Sequence, residues 1–340
     1  VDVVVSDYLM PDIDGISFLT AVKDAQPQAT RILLTGYADK ENAIKAINDV
    51  GLYHYLEKPW DNDALLSIVH NGLQEKSLRQ KLSEKVHELD TLSSRHEALE
   101  RELEMAAKVQ QNLLPRDFPT VGGYRFANLY QPSARIGGDF FDFAPRKEGV
   151  MLVVSDVIGH GLQAALSTML LKGVFQESAT LTEDPVTLLE EMNRRLHAIL
   201  PRGMYAAAAV FNIRAGSPEI GFANAGLPYP FVLRATKGRL DEISLSGPPL
   251  GLFETDVIPF ESRTIVAGSG DVLLAGSDGI GSIANDAGEL FEDRELRRVL
   301  GELVGNQGET VIQETMKRAV AFGNEAPLPD DVNLVAVTCV

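Results

Sequence analysis

Between Gly72 and Pro115 the chain contains neither glycine nor proline. A stretch without either helix breaker, filled with Glu, Lys, Arg, Gln and Leu, has one stable backbone option, a continuous helix. Residues recur along it in steps of four and three: Leu82, Val86 and Leu89, then Leu92, His96, Leu99, Leu103, Ala106, Gln110 and Leu113. The phase slips once, between Leu89 and Leu92. A seam of this period packs against a second helix, so the spacing predicts a dimerising coiled coil; the competing reading is a solvated helix packed on its own domain. In a chain of 340 residues so long a helix separates domains, and it divides the sequence into 1–75, 76–112 and 113–340.

The flanks differ in texture. Residues 1–75 alternate short apolar runs (3–5, 32–34, 53–56) with amphipathic stretches, the pattern of parallel α/β units. Pro115 and the glycines at 122 and 123 end the helix. Beyond them, β-branched and aromatic runs predict strands at 125–130, 151–157, 206–213, 220–225, 231–234, 272–277 and 332–340. Helices are predicted near 161–179, 185–200, 292–304 and 308–323. Runs of strands punctuated by helices make a sandwich with helices on its outer faces.

Charge and cysteine usage exclude several classes. The net charge of −17, from 31 basic and 48 acidic residues, repels nucleic acid and anionic membrane. No apolar stretch reaches the length of a membrane span and no secretory signal opens the chain. One cysteine, Cys339, excludes an intrachain disulfide framework and fits a reducing cytoplasm. It has no phosphate-cradling loop beside it and reads as a small core residue on a final strand. The chain opens at Val1, without Met, directly in an apolar strand, which suggests a fragment or a trimmed chain.

In Val3-Val4-Val5-Ser6-Asp7 a carboxylate follows a buried apolar strand. Parallel sheets bind ligands at that strand end. Two further strands end on Thr35 and on Glu57-Lys58-Pro59, so a carboxylate, a hydroxyl and a lysine would meet at one edge. A carboxylate nucleophile accepts a phosphoryl group where lysine and a cation offset the charge. The alternative for Asp7 taken alone is a strand-end turn. Together these residues resemble the second half of a response-regulator receiver domain. The resemblance implies Asp7 as phosphoacceptor, Thr35 as switch hydroxyl, Tyr55 as switch aromatic, Lys58 as phosphate-binding lysine and Lys58-Pro59 as a cis peptide. It also implies a first strand, an acidic pair for Mg²⁺ and a second strand before Val1.

Four acidic motifs follow the helix: Gly137-Gly138-Asp139, Ser155-Asp156-Val157-Ile158-Gly159-His160-Gly161, Ser277-Asp278-Gly279 and Asp330-Asp331. Each aspartate borders an apolar strand, often beside glycine. Any one of them alone fits a common turn. Gathered from several strand ends, they are the oxygen donors that hard divalent cations require. Their order and surroundings, with Asn224-Ala225-Gly226 and Gly247-Pro248-Pro249-Leu250-Gly251, resemble the PPM-type (protein phosphatase type 2C-like) phosphatases, in the bacterial SpoIIE-like branch. The resemblance covers about 113–340, with 106–115 as its leading helix. It implies two Mn²⁺ or Mg²⁺ ions bridged by Asp156, with the Val157 carbonyl on one and Asp278 and Asp330 on the other. Asp139 would act at the metals directly or through water, and Asp331 outside the ligands. His160 has two readings, an acid near the metals or a cap at a helix start. Arg135 likewise meets either substrate phosphate or a surface partner. Leu227 stands where this branch often carries histidine.

The fold class expected is multidomain α/β and α+β: a partial doubly wound receiver sheet, a long coiled-coil helix, then a PPM-type α/β/β/α sandwich. The resemblance implies a two-component response regulator with serine/threonine phosphatase output. Its substrate would be a phosphorylated partner, a STAS-type anti-sigma-factor antagonist, and its input an upstream histidine kinase. A homodimer would form through the coiled coil. The alternative is a non-catalytic, phosphatase-like adaptor under receiver control. A diguanylate cyclase, suggested by Gly137-Gly138-Asp139-Phe140-Phe141, is excluded, because Phe140 stands where that chemistry needs an acid.

Overall fold

The computed structural model describes residues 1–36, 50–159, 161–254 and 257–340. They form two compact units, Val1–Leu99 and Glu100–Val340.

In the first unit, β1 (Val3–Asp7), β2 (Thr30–Thr35) and β3 (His54–Glu57) are parallel and directly paired in that order. Helix α1 (Gly15–Ala25) begins where Asp14 accepts the Ser17 amide at 2.7 Å, satisfying a free N–H of the first turn. Leu19 of α1 packs on Leu33, Val50 and Leu52. The register sets Asp7 opposite Leu34 and Thr35 opposite Glu57, so the C-terminal ends of all three strands lie along one edge.

Helix α2 (Asn62–Leu113) is continuous over 52 residues, as the absence of Gly and Pro near its middle predicts. Leu82, Val86, Leu89, Leu92 and Leu99 of the seam are all exposed. The last turns differ from that reading. Leu103 and Ala107 pack on Ile136 and Ala165, and Gln110 is buried. The part of the seam from Leu103 onward is therefore taken up by the second unit itself, and the boundary between units falls inside the helix.

The second unit stacks two antiparallel five-stranded sheets. One has the order β10 (Arg239–Glu242), β9 (Phe231–Arg234), β12 (Val272–Gly276), β13 (Val332–Cys339), β4 (Tyr124–Gln131). The other has β11 (Ser262–Val266), β8 (Glu219–Ala225), β7 (Ala206–Arg214), β6 (Gly149–Val157), β5 (Asp139–Arg146). Successive side chains of β6 go to opposite faces, as a strand's period of two requires. Leu152 and Val154 enter the core between the sheets with Phe141, Phe211, Leu273 and Val335. Met151 and Val153 face the other way, onto Phe175 of α3 (Leu162–Ala179) and Leu188 and Met192 of α4 (Pro185–Ile199). On the far side, α5 (Arg297–Glu302) and α6 (Gly308–Phe322) lay Leu300, Val311 and Met316 over Val272, Leu274 and Leu334. The result is an α/β/β/α sandwich. Central strands with both faces covered read as unbroken apolar runs, which is why they were legible. β10 and β11 are short, polar and at sheet edges, and no apolar run announces them. Cys339 ends β13, half-buried against the inter-sheet core, as a packing residue.

Candidate functional site

The acidic motifs converge where the two sheets end. Asp139 opens β5 and is the register partner of Asp156 near the end of β6, so one cross-strand pair supplies two carboxylates. Asp278 follows β12, and Asp330 and Asp331 precede its neighbour β13. The loops cross so closely that a Cβ on Gly279 would stand 1.8 Å from the Asp331 carbonyl oxygen, which only glycine permits.

Hydrogen bonds then fix each loop. Ser277 Oγ donates to Asp139 Oδ2 at 2.5 Å and accepts from the Asn333 amide at 3.1 Å. Asn333 Nδ2 donates to the Phe140 carbonyl at 3.0 Å. Asp331 has both oxygens engaged: Oδ1 by Ser133 N and Oγ at 2.7 and 3.0 Å, Oδ2 by Gly138 N at 2.5 Å. It clamps the loop that carries Asp139. Gly138 in turn accepts from the Val157 amide at 3.2 Å, bringing the Val157 backbone beside that loop.

Sequence reasoning missed the residue on the other side of Gly137. Gln110 of α2 is 5% exposed, and its amide closes on one residue, Gly137, from both sides. Nε2 donates to the Gly137 carbonyl at 2.6 Å and Oε1 accepts from the Gly137 amide at 3.1 Å. Nε2 also lies 3.2 Å from Thr168 Oγ1 of α3. The available signal was a polar side chain at an inward position of the seam.

Burial and mutual repulsion shape the charge. Burial, then the neighbouring Asp156, holds the Asp139 carboxyl well above the usual range. Asp156 is pushed up to about 7, by burial first and then by Asp278 and Asp330. Asp278 is raised by burial and by Asp330. Among the described residues no basic side chain offsets the charge at these three. Carboxylates held this way favour protons or a cation. The donor set is all oxygen, which suits a hard divalent ion. Among the described residues no three acidic, His or Cys side chains close around one point.

The remaining expectations resolve individually. Arg135 pairs with Glu100 on α2, the surface partner of its two readings. His160 lies outside the described residues. Leu227 is buried in the inter-sheet core, and Asn224 staples its turn by donating to the carbonyls of Leu227 and Leu245, both at 2.8 Å. Histidine is not required there for packing. Asp156, Asp278 and Asp330 open into a groove of about 800 Å³ that Tyr205, Tyr229 and Arg297 also line.

In the first unit, Lys58 Nζ pairs with Asp7 Oδ2 and the Lys58–Pro59 peptide is cis. Thr35 is buried, its hydroxyl donating to the Gly36 carbonyl at 3.2 Å. Tyr55 packs partly buried against the small core around Leu33. Carboxylate, hydroxyl and lysine thus stand at the ends of three adjacent strands.

Known proteins share both halves. The response regulator receiver domain matches residues 1–70. The phosphoserine phosphatase RsbP of Bacillus subtilis is 30% identical over 186 residues, 53% of this chain and 45% of RsbP. The phosphoserine phosphatase RsbU of the same organism is 23% identical over 251 residues, 74% of this chain and 73% of RsbU. The chain thus spans less than half the length of the first of these relatives. The SiaA-PP2C domain of Pseudomonas aeruginosa shares the fold with a TM-score of 0.64 at 20% identity, covering 72% of this chain and 98% of that one. The Stage II sporulation protein E (SpoIIE) family matches residues 146–340, more than half of the 340, and with the carboxylate cluster on this sandwich the chain belongs to that family, carrying a receiver module before it.

Proposed function

We propose that the chain is a metal-dependent protein-serine/threonine phosphatase governed by its receiver module. The observation that carries this is the set of raised carboxylates at adjoining strand ends, Asp139 buried, Asp156 half-buried and Asp278 exposed, without basic partners among the described residues, with Asp156 and Asp278 on a groove of about 800 Å³. Asp156, the Val157 carbonyl, Asp278, Asp330 and Asp139 would hold two Mn²⁺ or Mg²⁺ ions. When bound, such ions supply a water of lowered pKa and offset the charge of the phosphoryl group. The chain's own residues do the positioning. Ser277 fixes Asp139 Oδ2, and Asp331 and Gln110 hold the backbone of Gly137 and Gly138. The groove presents phosphoserine or phosphothreonine to this edge.

For the partner we infer a STAS-type anti-sigma-factor antagonist, as the family resemblance implies, and for the input an upstream histidine kinase acting on Asp7 with Mg²⁺. The phosphoserine phosphatase names of RsbP and RsbU support the reaction class. An adaptor without catalysis would have no use for carboxylates held at this electrostatic cost. The test is hydrolysis of a small aryl phosphate with Mn²⁺. Asp156→Asn or Asp278→Asn is expected to lower kcat/KM by more than about a hundredfold, beyond the 10–100-fold typical of residues outside the ligands. Undiminished turnover by Asp156→Asn in chelator would sink the two-metal reading.

A further inference from the structure

Beside Asp278 the groove opens into a side pocket of about 50 Å³. Its floor is apolar: Leu274, Ile280, Leu300 and Leu334 line it and all are buried. Thr315 also lines it, but its hydroxyl is committed to the Val311 carbonyl at 2.6 Å. The floor therefore gives water too few partners to stay. The mouth belongs to the catalytic groove, since Tyr229, Glu242, Asp278 and Glu292 border both spaces.

That mouth is stiffened by Arg297. Its Nε and Nη2 donate to the two Glu242 oxygens at 3.1 and 3.0 Å, and Nη1 to the Glu292 carbonyl at 3.3 Å. The guanidinium also lies 5.9 Å from the centre of the Phe231 ring, another pocket wall. A planar fork held at both ends and over a ring keeps little rotamer freedom, so these walls are set before a ligand arrives.

We propose that this pocket is the recognition subsite for a branched aliphatic side chain of the substrate, within two positions of the phosphorylated residue. The inference rests on the phosphatase reading and adds a sequence preference to it. The spacing follows from Asp278 bordering both spaces and from the geometry of an extended segment, in which residues two apart face the same way. The aliphatic floor of Leu274, Ile280, Leu300 and Leu334 suits valine, isoleucine or leucine, and it rejects charged side chains.

The experiment uses the full chain with Mn²⁺, a small aryl phosphate, and phosphoserine peptides carrying Leu, Phe, Ala or Asp at each position within three of the phosphoserine. At one position within two of it, Leu is expected to raise kcat/KM about tenfold or more over Ala, the scale of filling an apolar pocket. Leu300→Ala deepens the floor and should shift the Phe-to-Leu ratio there by about tenfold. Leu296→Ala, on another wall, gives a second reading of the same ratio. Comparing two peptides on one protein cancels any loss of folded fraction. Turnover of aryl phosphate and Ala peptides with no Leu advantage anywhere overturns the subsite and leaves the phosphatase reading standing. A Leu advantage unmoved in both variants places recognition elsewhere. No turnover of any ester with Mn²⁺ removes the phosphatase reading, and the subsite falls with it.

Discussion

At the scale of single residues, the cluster around Asp156 makes the protein sensitive to protons when no cation is bound. Asp156 is raised from 3.8 to about 7, so between about pH 4 and 7 the folded state keeps a proton that the unfolded chain gives up. That contribution to stability is complete below about pH 4 and gone above about pH 7. Asp139 and Asp278, also raised, act in the same direction. In chelator, Asp156→Asn should therefore melt higher than wild type at pH 8, by about 2–4 °C for each kcal/mol relieved. The gap should close toward pH 5, and Mn²⁺ should invert the order at pH 8. Equal melting of the two proteins at pH 8 in chelator would show that the carboxylates carry no penalty. The four aspartates were legible because each borders an apolar run. Ser277 and Asn333 were not, because a serine and an asparagine beside such runs also fit turns, and only the crossing of the β12 and β13 ends brings Ser277 onto Asp139 and Asn333 onto Ser277 and the Phe140 carbonyl.

At the scale of elements, α2 is exposed along one stretch of its seam and packed along another. Its apolar seam positions from Leu82 to Leu99 are exposed, whereas Ala107 and Gln110 are buried and Leu103 is half-buried within the second unit. The periodicity predicted the helix well, since spacing alone fixes a face. Which partner covers that face depends on surfaces far away in sequence, and Ile136 and Ala165 carry no local mark of the role. For the exposed part we propose pairing with a second copy. Leu92→Lys with Leu99→Lys should raise the dimer dissociation constant at least about a hundredfold, from roughly 1.5–3 kcal/mol per buried leucine. Sedimentation velocity reads this directly, and an unchanged constant would leave the helix as a solvated spacer. The edge strands β10 and β11 mark the other limit of legibility, for a strand paired on one side only needs no apolar run.

At the scale of the whole molecule, one helix leaves the receiver module at Asn62 and ends against the peptide that precedes Asp139. We propose that phosphorylation of Asp7 shifts the balance between two arrangements of this helix, which requires that they differ in affinity for the phosphorylated receiver. Where a small phosphodonor phosphorylates Asp7, kcat/KM for an aryl phosphate should change at least about fivefold, the lower range of allosteric coupling. Asp7→Ala should not respond. Phosphorylation that moves neither rate nor dimer constant would make the helix a passive tether.

The grip of Gln110 on Gly137 sets the character of any such response. Its two ends hold the two sides of a single glycine residue, so a twist of the helix loads both bonds together. A contact of this kind behaves as a latch, not a spring. Each molecule then has an engaged state and a released state with little between, and a graded input would be read out as the fraction of molecules latched.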